Sequence, residues 1–380
     1  MDWTSGSPDI RASWTLDETV AYLNHGSFGA TPRPVLDEQA RLRAEMEREP
    51  VHFLARTFDA RIAVVRQRLA TFLGADARGL VAVPNATTGV ATVLRSLPWR
   101  EGDEIVLADH AYNAVKQAVR FLGEHFGVKM VEARVPFPLA SAEQVVEAFD
   151  EAIGPRTKLV IVDHVTSATA LVFPVAEIVA CARAHAVPVL VDGAHAPALL
   201  PLALDALAAD FYVGNLHKWL CAPKGAAFLH VAPAWRDRVR PLVPSHGYGG
   251  GFFAEFDWTG TDDPTAWLSV PAAIDFFEAL GPERVRASNH ALVREGRVAI
   301  ARALGVDLPH PDDPALYGPM AAIPFPRGGV PAELNRVMFE RHRIEVPFTT
   351  YDGRVWVRIS GQVYNRPEEY ARLADVLRAF

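Results

Sequence analysis

Two side chains define the chemistry to look for. Asp192 closes the run Val187-Pro188-Val189-Leu190-Val191, and Lys218 lies in the turn Asn215-Leu216-His217-Lys218-Trp219 that follows Phe211-Tyr212-Val213. Both apolar runs read as short buried parallel strands whose carboxyl ends open onto a site. Neighbouring strands would then deliver an acid and an amine to one mouth. That pair suits pyridoxal 5'-phosphate (PLP). The lysine forms a Schiff base, and the acid holds the pyridinium nitrogen protonated so that the ring accepts electrons from a substrate carbanion.

Other candidates surround this pair. Leu80-Val81-Ala82-Val83-Pro84 reads as a strand, Asn85-Ala86-Thr87-Thr88-Gly89 as a turn, and Val90, Val93, Leu94 and Leu97 as the apolar face of a helix. Free amides and the helix dipole favour a phosphate at such a helix start, although a threonine there can simply cap the helix. With Lys218 in view, the Ala86 and Thr87 amides and the Thr87 hydroxyl, with Thr88 beside them, are assigned to the cofactor phosphate. Asn215 and His217 flank the lysine closely enough to reach it too. Two further turns fall at strand ends, where open α/β sheets hold ligands. In Asp109-His110-Ala111-Tyr112-Asn113, either His110 or Tyr112 could stack on the pyridine, or the histidine could be solvated. In Asp163-His164-Val165-Thr166-Ser167, Thr166 or Ser167 could bond the phenolic oxygen of the cofactor. Arg358, inside Val355-Trp356-Val357-Arg358-Ile359, is costly in an apolar strand unless its planar fork meets an anion, either an acid of the protein or a substrate carboxylate.

These positions need a scaffold, and the periodicity supplies one. Val35 to Glu49 and Phe58 to Leu73 read as amphipathic helices. Alternation continues through strand Glu104 to Ala108, helix Asn113 to Phe126, strand Lys129 to Val135, helix Ser141 to Ala152, strand Lys158 to Asp163 and helix Val175 to Ala184. The expected class is α/β, a mainly parallel sheet with helices on both faces. Beyond Lys218, Ala226 to Val231 reads as an antiparallel edge strand and Ala234 to Val239 as a short helix. The glycine-rich Pro244 to Gly251 is a lid or a long surface loop. A helical region from Thr265 to Leu304, broken at Gly281-Pro282, leads to strands Met320 to Phe325, Ile344 to Phe348 and Arg354 to Ile359 and helices Pro331 to His342 and Pro367 to Ala379. This predicts an N-terminal segment 1–30 lining the substrate mouth, a large domain 31–264, and a smaller α+β C-terminal domain 265–380.

The motifs together also carry a resemblance. Asp192-Gly193-Ala194-His195, Asn215 to Trp219, Asn24-His25-Gly26-Ser27-Phe28-Gly29, Asn85 to Gly89, Asp163 to Ser167 and Trp258-Thr259-Gly260-Thr261 resemble, in their joint order along the chain, the class V aminotransferase-fold enzymes, a fold-type I PLP group. The likeness is greatest to isopenicillin N epimerase-like proteins. The resemblance implies that the loop Asn24, His25, Gly26 and Ser27 binds substrate, that His110 is the stacking ring, and that His195 sits near the phenolic oxygen or the Schiff base. It implies that Arg358 grips the α-carboxylate of an amino-acid substrate. It also implies a homodimer in which Gly260 and Thr261 reach the phosphate of the partner subunit's cofactor.

The expected activity is an amino-acid reaction through an external aldimine and a Cα carbanion, with Lys218 as base and Asp192, His110 and His195 as further catalytic groups. Epimerisation is the first reading and carbon–sulfur β-elimination the alternative, with transamination third. Epimerisation would need a second acid/base, from His25, Tyr112 or Tyr248. Cysteine desulfuration is disfavoured because Phe348-Thr349-Thr350-Tyr351-Asp352-Gly353 offers no thiol. A nicotinamide-dependent dehydrogenase is disfavoured because no Gly-x-Gly-x-x-Gly follows the first strands.

Size and charge agree. A chain of 380 residues, half of them apolar, supports a large core and a second domain. A formal charge of −7 without a Lys/Arg run argues against nucleic acid as partner. Cys181 and Cys221 are too few for a disulfide or zinc framework, so no metal is expected. No apolar stretch approaches the roughly 20 residues that span a bilayer, and Met1 to Gly6 lacks a basic, apolar leader. The expectation is a cytoplasmic protein with no membrane partner.

Overall fold

The strands run in chain order as β1 (Ala21–Tyr22), β2 (Leu80–Val83), β3 (Glu104–Ala108), β4 (Lys129–Ala133), β5 (Thr157–Asp163), β6 (Val189–Asp192), β7 (Phe211–Asn215), β8 (Ala227–Val231), β9 (Met320–Pro324), β10 (Ile344–Glu345), β11 (Phe348–Tyr351) and β12 (Arg354–Ser360). The computed structural model describes residues 3–379. Met1, Asp2 and Phe380 lie outside them, so the reading of the chain's start falls partly beyond the described residues.

Seven strands form the central sheet in the order β2-β8-β7-β6-β5-β3-β4. β3 to β7 pair in parallel, while β8 is antiparallel to both β7 and β2. β8 is thus antiparallel as expected but not at the edge; β2 lies outside it. Alternate side chains feed two apolar layers, as a sheet covered on both faces requires. Val106, Ala108, Val160, Val162, Val189 and Val191 join one layer, under helices Phe58–Leu73, Glu143–Ala152, Val175–Ala184 and Val270–Leu280. Ile105, Leu107, Leu159, Ile161, Leu190 and Val213 join the other, under helices Ala86–Ser96 and Asn113–Phe126. The near-continuous valine and leucine runs follow from burial on both sides.

A second, three-stranded antiparallel sheet, β11-β12-β9, packs on helices Pro282–Leu304 and Pro367–Ala379 around a core of its own. The strand expected over Ile344 to Phe348 is two. Pro347, which has no N–H to give a ladder, separates β10, paired in parallel with β1, from β11. The helix expected over Ala234 to Val239 is only a 3-10 turn, Pro233–Trp235, followed by turns in which the Arg238 and Val239 amides both donate to the Trp235 carbonyl, while the Arg236 side chain bonds the Val231 carbonyl and Asp76. The N-terminal loop after β1 lies directly against the lysine turn. Any side chain at Gly29 would overlap the Lys218 carbonyl oxygen. Among the described residues, no helix is long and apolar enough to cross a membrane.

Candidate active site

A cavity opens at the carboxyl ends of β2, β5, β6 and β7. It is lined by Asn85, Ala86 and Thr87, by Asp163, Val165 and Ser167, by Asp192, Ala194 and His195, and by Asn215, His217 and Lys218, with Tyr112, Ser27 and Phe28 at the rim. Parallel strands with short, buried runs bring these ends together, and register sets Asp163 directly beside Asp192. Lys218 and Asp192, read from separate strands, therefore share one hollow.

Burial and the nearby Arg358 guanidinium lower the Lys218 amine to about 8, against the pull of Asp192 and Asp163. Its Nζ lies 3.1 Å from His195 Nε2, and the Trp219 indole donates to His195 Nδ1 at 3.3 Å. Burial holds His195 well below its ordinary value. A neutral imidazole that accepts at Nδ1 carries its proton on Nε2, so it donates to an uncharged Lys218 amine. Trp219, quoted in the motif but given no role there, sets that tautomer. Burial raises both acids, Asp163 the more strongly because Asp192 adjoins it, whereas Asp192 gains from the Ala194 amide (3.0 Å) and from Lys218. One proton therefore resides mainly on Asp163, and Asp192 is the better carboxylate.

Arg358, on β12, is 3 % exposed. Its Nη1 donates to the Ser167 carbonyl (2.5 Å) and approaches the Ser167 hydroxyl (3.3 Å), and Nη2 donates to the Ser27 hydroxyl (2.7 Å). Nε has no partner. Burial lowers the guanidinium to about 10, so it stays charged at neutral pH. No carboxylate pairs with it among the described residues, although burying an ion costs several kcal/mol. Ser27 and Ser167 line the cavity, and Arg358 stands immediately behind them.

The other predicted residues divide. At the helix start, Asn85 is the cap, accepting from the Thr88 amide (2.8 Å) and hydroxyl (3.0 Å). The Ala86 amide donates to Asn215 Oδ1 at 2.8 Å and so does not face a ligand. Thr87 is exposed on the cavity wall. His217 Nδ1 donates to the Ala226 carbonyl (3.0 Å), which fixes the ring, and burial takes its pKa to about 4. His110 does not reach the cavity. It is buried, bonded to Thr169 (2.7 Å), the Val135 carbonyl (3.1 Å) and the Tyr351 hydroxyl (2.7 Å). Tyr112 from the same turn lines the cavity instead. Thr166 is likewise internal, bonded to Thr169 and the Leu171 amide, leaving Ser167 at the wall.

The loop Asn24 to Ser27 also splits. His25 is fully buried against Tyr364, the Lys218 carbonyl and Gln362, and burial takes it to about 3. Gly26 donates to Ser360, Asn24 turns to Glu345, and Ser27 alone bonds Arg358. Gly260 and Thr261 are exposed, outside this cavity; Gly260 borders a separate hollow with Pro84, Lys224 and Trp258. Asn85 and Phe28 are site residues the sequence reading left unassigned. Asn85 could have been found, since an asparagine just before a helix is the expected cap.

An acid for a ring nitrogen, a depressed amine and an open threonine at a helix start are the groups PLP requires, and one cavity holds all three.

The family model described as Aminotransferase class-V matches residues 21–366. The chain is 36% identical to the isopenicillin N epimerase of Streptomyces clavuligerus, over 100% of this chain and 98% of that protein. It is 34% identical to putative L-cysteine desulfhydrase 1 of Oryza sativa subsp. japonica, over 97% and 85%. A solved structure of a C-DES lysine-to-alanine mutant, with glycine covalently linked to its PLP cofactor, superposes with a TM-score of 0.82 at 24% identity, covering 98% of this chain and 100% of that one.

Proposed function

The chain belongs to the aminotransferase class-V family, and from that premise we propose that it epimerises an α-amino acid whose carboxylate rests on Arg358. It is a PLP-dependent enzyme. When bound, the cofactor supplies a protonated pyridine ring that accepts the electron pair left at Cα.

Each step falls to a residue of this chain. Asp192 holds the proton on the ring nitrogen, and neutral Asp163 beside it avoids a second charge. Thr87 and His217 hold the phosphate, and a dianion there would raise the His217 imidazole from its depressed value. Arg358 fixes the carboxylate and so turns the Cα–H bond toward Lys218. Lys218, already lowered to about 8, is uncharged often enough near neutral pH to take that proton. His195 orients the amine through its Nε2 proton. Inversion needs a second proton donor. His25 is sealed in the core and Tyr248 lies in the exposed glycine-rich loop, so Tyr112 at the cavity rim supports that role best.

The observation that carries this reading is a buried arginine, charged and without an acid, set against the cavity that holds Lys218. A second reading, carbon–sulfur β-elimination, needs no donor on the opposite face and draws on the desulfhydrase relatives. Desulfuration by a protein thiol gains no support. Burial pushes Cys221 up to about 12, and the β11–β12 turn carries no cysteine. Incubation with candidate amino acids in D₂O decides between them. Deuterium at Cα with inversion supports the epimerase. A keto acid with a released sulfur fragment supports the lyase, and a keto acid without one an aminotransferase.

The exposed Gly260 and Thr261, remote from their own cavity, support a homodimer in which each copy contributes to the other's phosphate site. Mixing Lys218→Ala and Thr261→Val subunits should restore activity in hybrid dimers if that sharing is real.

A further inference from the structure

A second hollow, of about 460 Å³, opens beside the active cavity. Phe28 belongs to both walls, and the new hollow is otherwise characterised by Asp17, Tyr22, Asn24, Phe339 and Glu345. Asn24 and Phe28 sit on the same loop as Ser27, which accepts from Arg358. A substrate anchored there would have this hollow within the sweep of a long side chain.

The spare polar atoms of the hollow are all acceptors. Asn24 is 7 % exposed; its Nδ2 donates to Glu345 at 3.2 Å, and its Oδ1 has no partner. The Tyr22 hydroxyl donates to the Phe28 carbonyl at 2.6 Å, so only its lone pairs are free. Burial and the Glu345 carboxylate push that phenol up to about 12, which keeps it protonated. Arg343 answers Asp17 at 2.8 Å and covers one face of Phe339. Among the described residues the Glu345 carboxylate has no basic partner, and its one hydrogen bond is from the neutral amide of Asn24. The faces of Tyr22 and Phe28 add negative quadrupole potential. Leaving acceptors unmet is costly, and an unpaired carboxylate favours a cationic donor. An anionic tail would meet only repulsion here, and a neutral apolar one would strand these acceptors.

Resting on the reading of Arg358 as carboxylate anchor, we propose that this hollow receives the far end of an extended, cationic amino-acid side chain. Its ammonium or guanidinium group is held by Glu345 after the chain passes Phe28. The substrate class is thus an α-amino acid carrying a positive charge remote from Cα.

The test uses the holoenzyme and a series of S-(ω-aminoalkyl)cysteines against S-alkylcysteines of equal length, with α-deuterium exchange as the readout. The ratio of kcat/KM for the two members of a pair, measured in one preparation, does not depend on the fraction folded. Wild type should favour the aminoalkyl member by about tenfold or more at one chain length, and Glu345→Gln should reduce that preference about tenfold. Glu345→Lys should turn the preference toward S-(ω-carboxyalkyl)cysteines. No preference in wild type, or a preference that Glu345→Gln leaves intact, overturns the proposal. Absence of exchange with every amino acid, in an enzyme that still shows its lysine-bound cofactor absorbance, overturns the reading of Arg358 and Lys218 first and this inference with it.

Discussion

The lysine wall and the arginine wall of the cavity are built on opposite electrostatic plans. Lys218 is surrounded by groups that can ionise: His195 at 3.1 Å, and acids at the ends of the next two strands, β6 and β5. Arg358 is surrounded by groups that cannot: two serine oxygens and a carbonyl. The first arrangement moves a charge, and the second keeps one waiting for an anion from outside. The walls also come from different sheets, so a substrate bound to both would bridge the two cores.

Removing Lys218 tests the first wall most severely. Lys218→Ala should lower turnover at least about a thousandfold and abolish the absorbance of the lysine-bound cofactor. If turnover survives, the two walls do not differ as described. Arg358→Leu should lower kcat/KM for α-amino acids about a hundredfold, the scale of losing a buried charge-assisted contact. The same variant should handle the matching amines, which lack the carboxylate, no worse than wild type does. An equal loss for amines would make Arg358 structural.

The proton on Lys218 gives a finer test. Only the neutral amine captures an aldehyde, and its pKa is lowered to about 8, so capture of the cofactor by the apoenzyme should rise with pH and level off above that value. An amine at its ordinary value would keep accelerating for about two further pH units. Stopped-flow absorbance across that range distinguishes the two. The smallest effect is expected at Cys221, which adjoins His25 behind the lysine turn and is buried. Cys221→Ser should leave kcat within about twofold while lowering Tm, because a buried thiol packs but does not attack.

Much of the scaffold was legible because its signals are local. Continuous apolar runs marked the strands of the central sheet, and apolar faces marked the helices between them. The two failures there are short. Pro347 divides one expected strand, and a helix expected after Pro233 is only a 3-10 turn. At the site, Lys218, Asp192, Ser167 and Thr87 line one cavity. His110 and Tyr112 could not be ordered from sequence. His110 is held inward by Tyr351, a hydrogen-bond and ring partner on β11. The Ala86 amide was misread for a similar reason, since its acceptor, Asn215, ends a strand far along the chain.

By itself the amino-acid sequence determined which strand ends carry an acid, an amine and a small hydroxyl turn, because backbone periodicity and side-chain chemistry are written within a few residues of each other. Only the tertiary structure decided that Arg358 has no acid beside it, that the Trp219 indole holds His195 beside Lys218, and that the Asn24 oxygen is left without a partner. Those properties depend on what the rest of the chain leaves unpaired. Local order can propose a donor or an acceptor, but folding chooses whether its partner is another residue or a substrate.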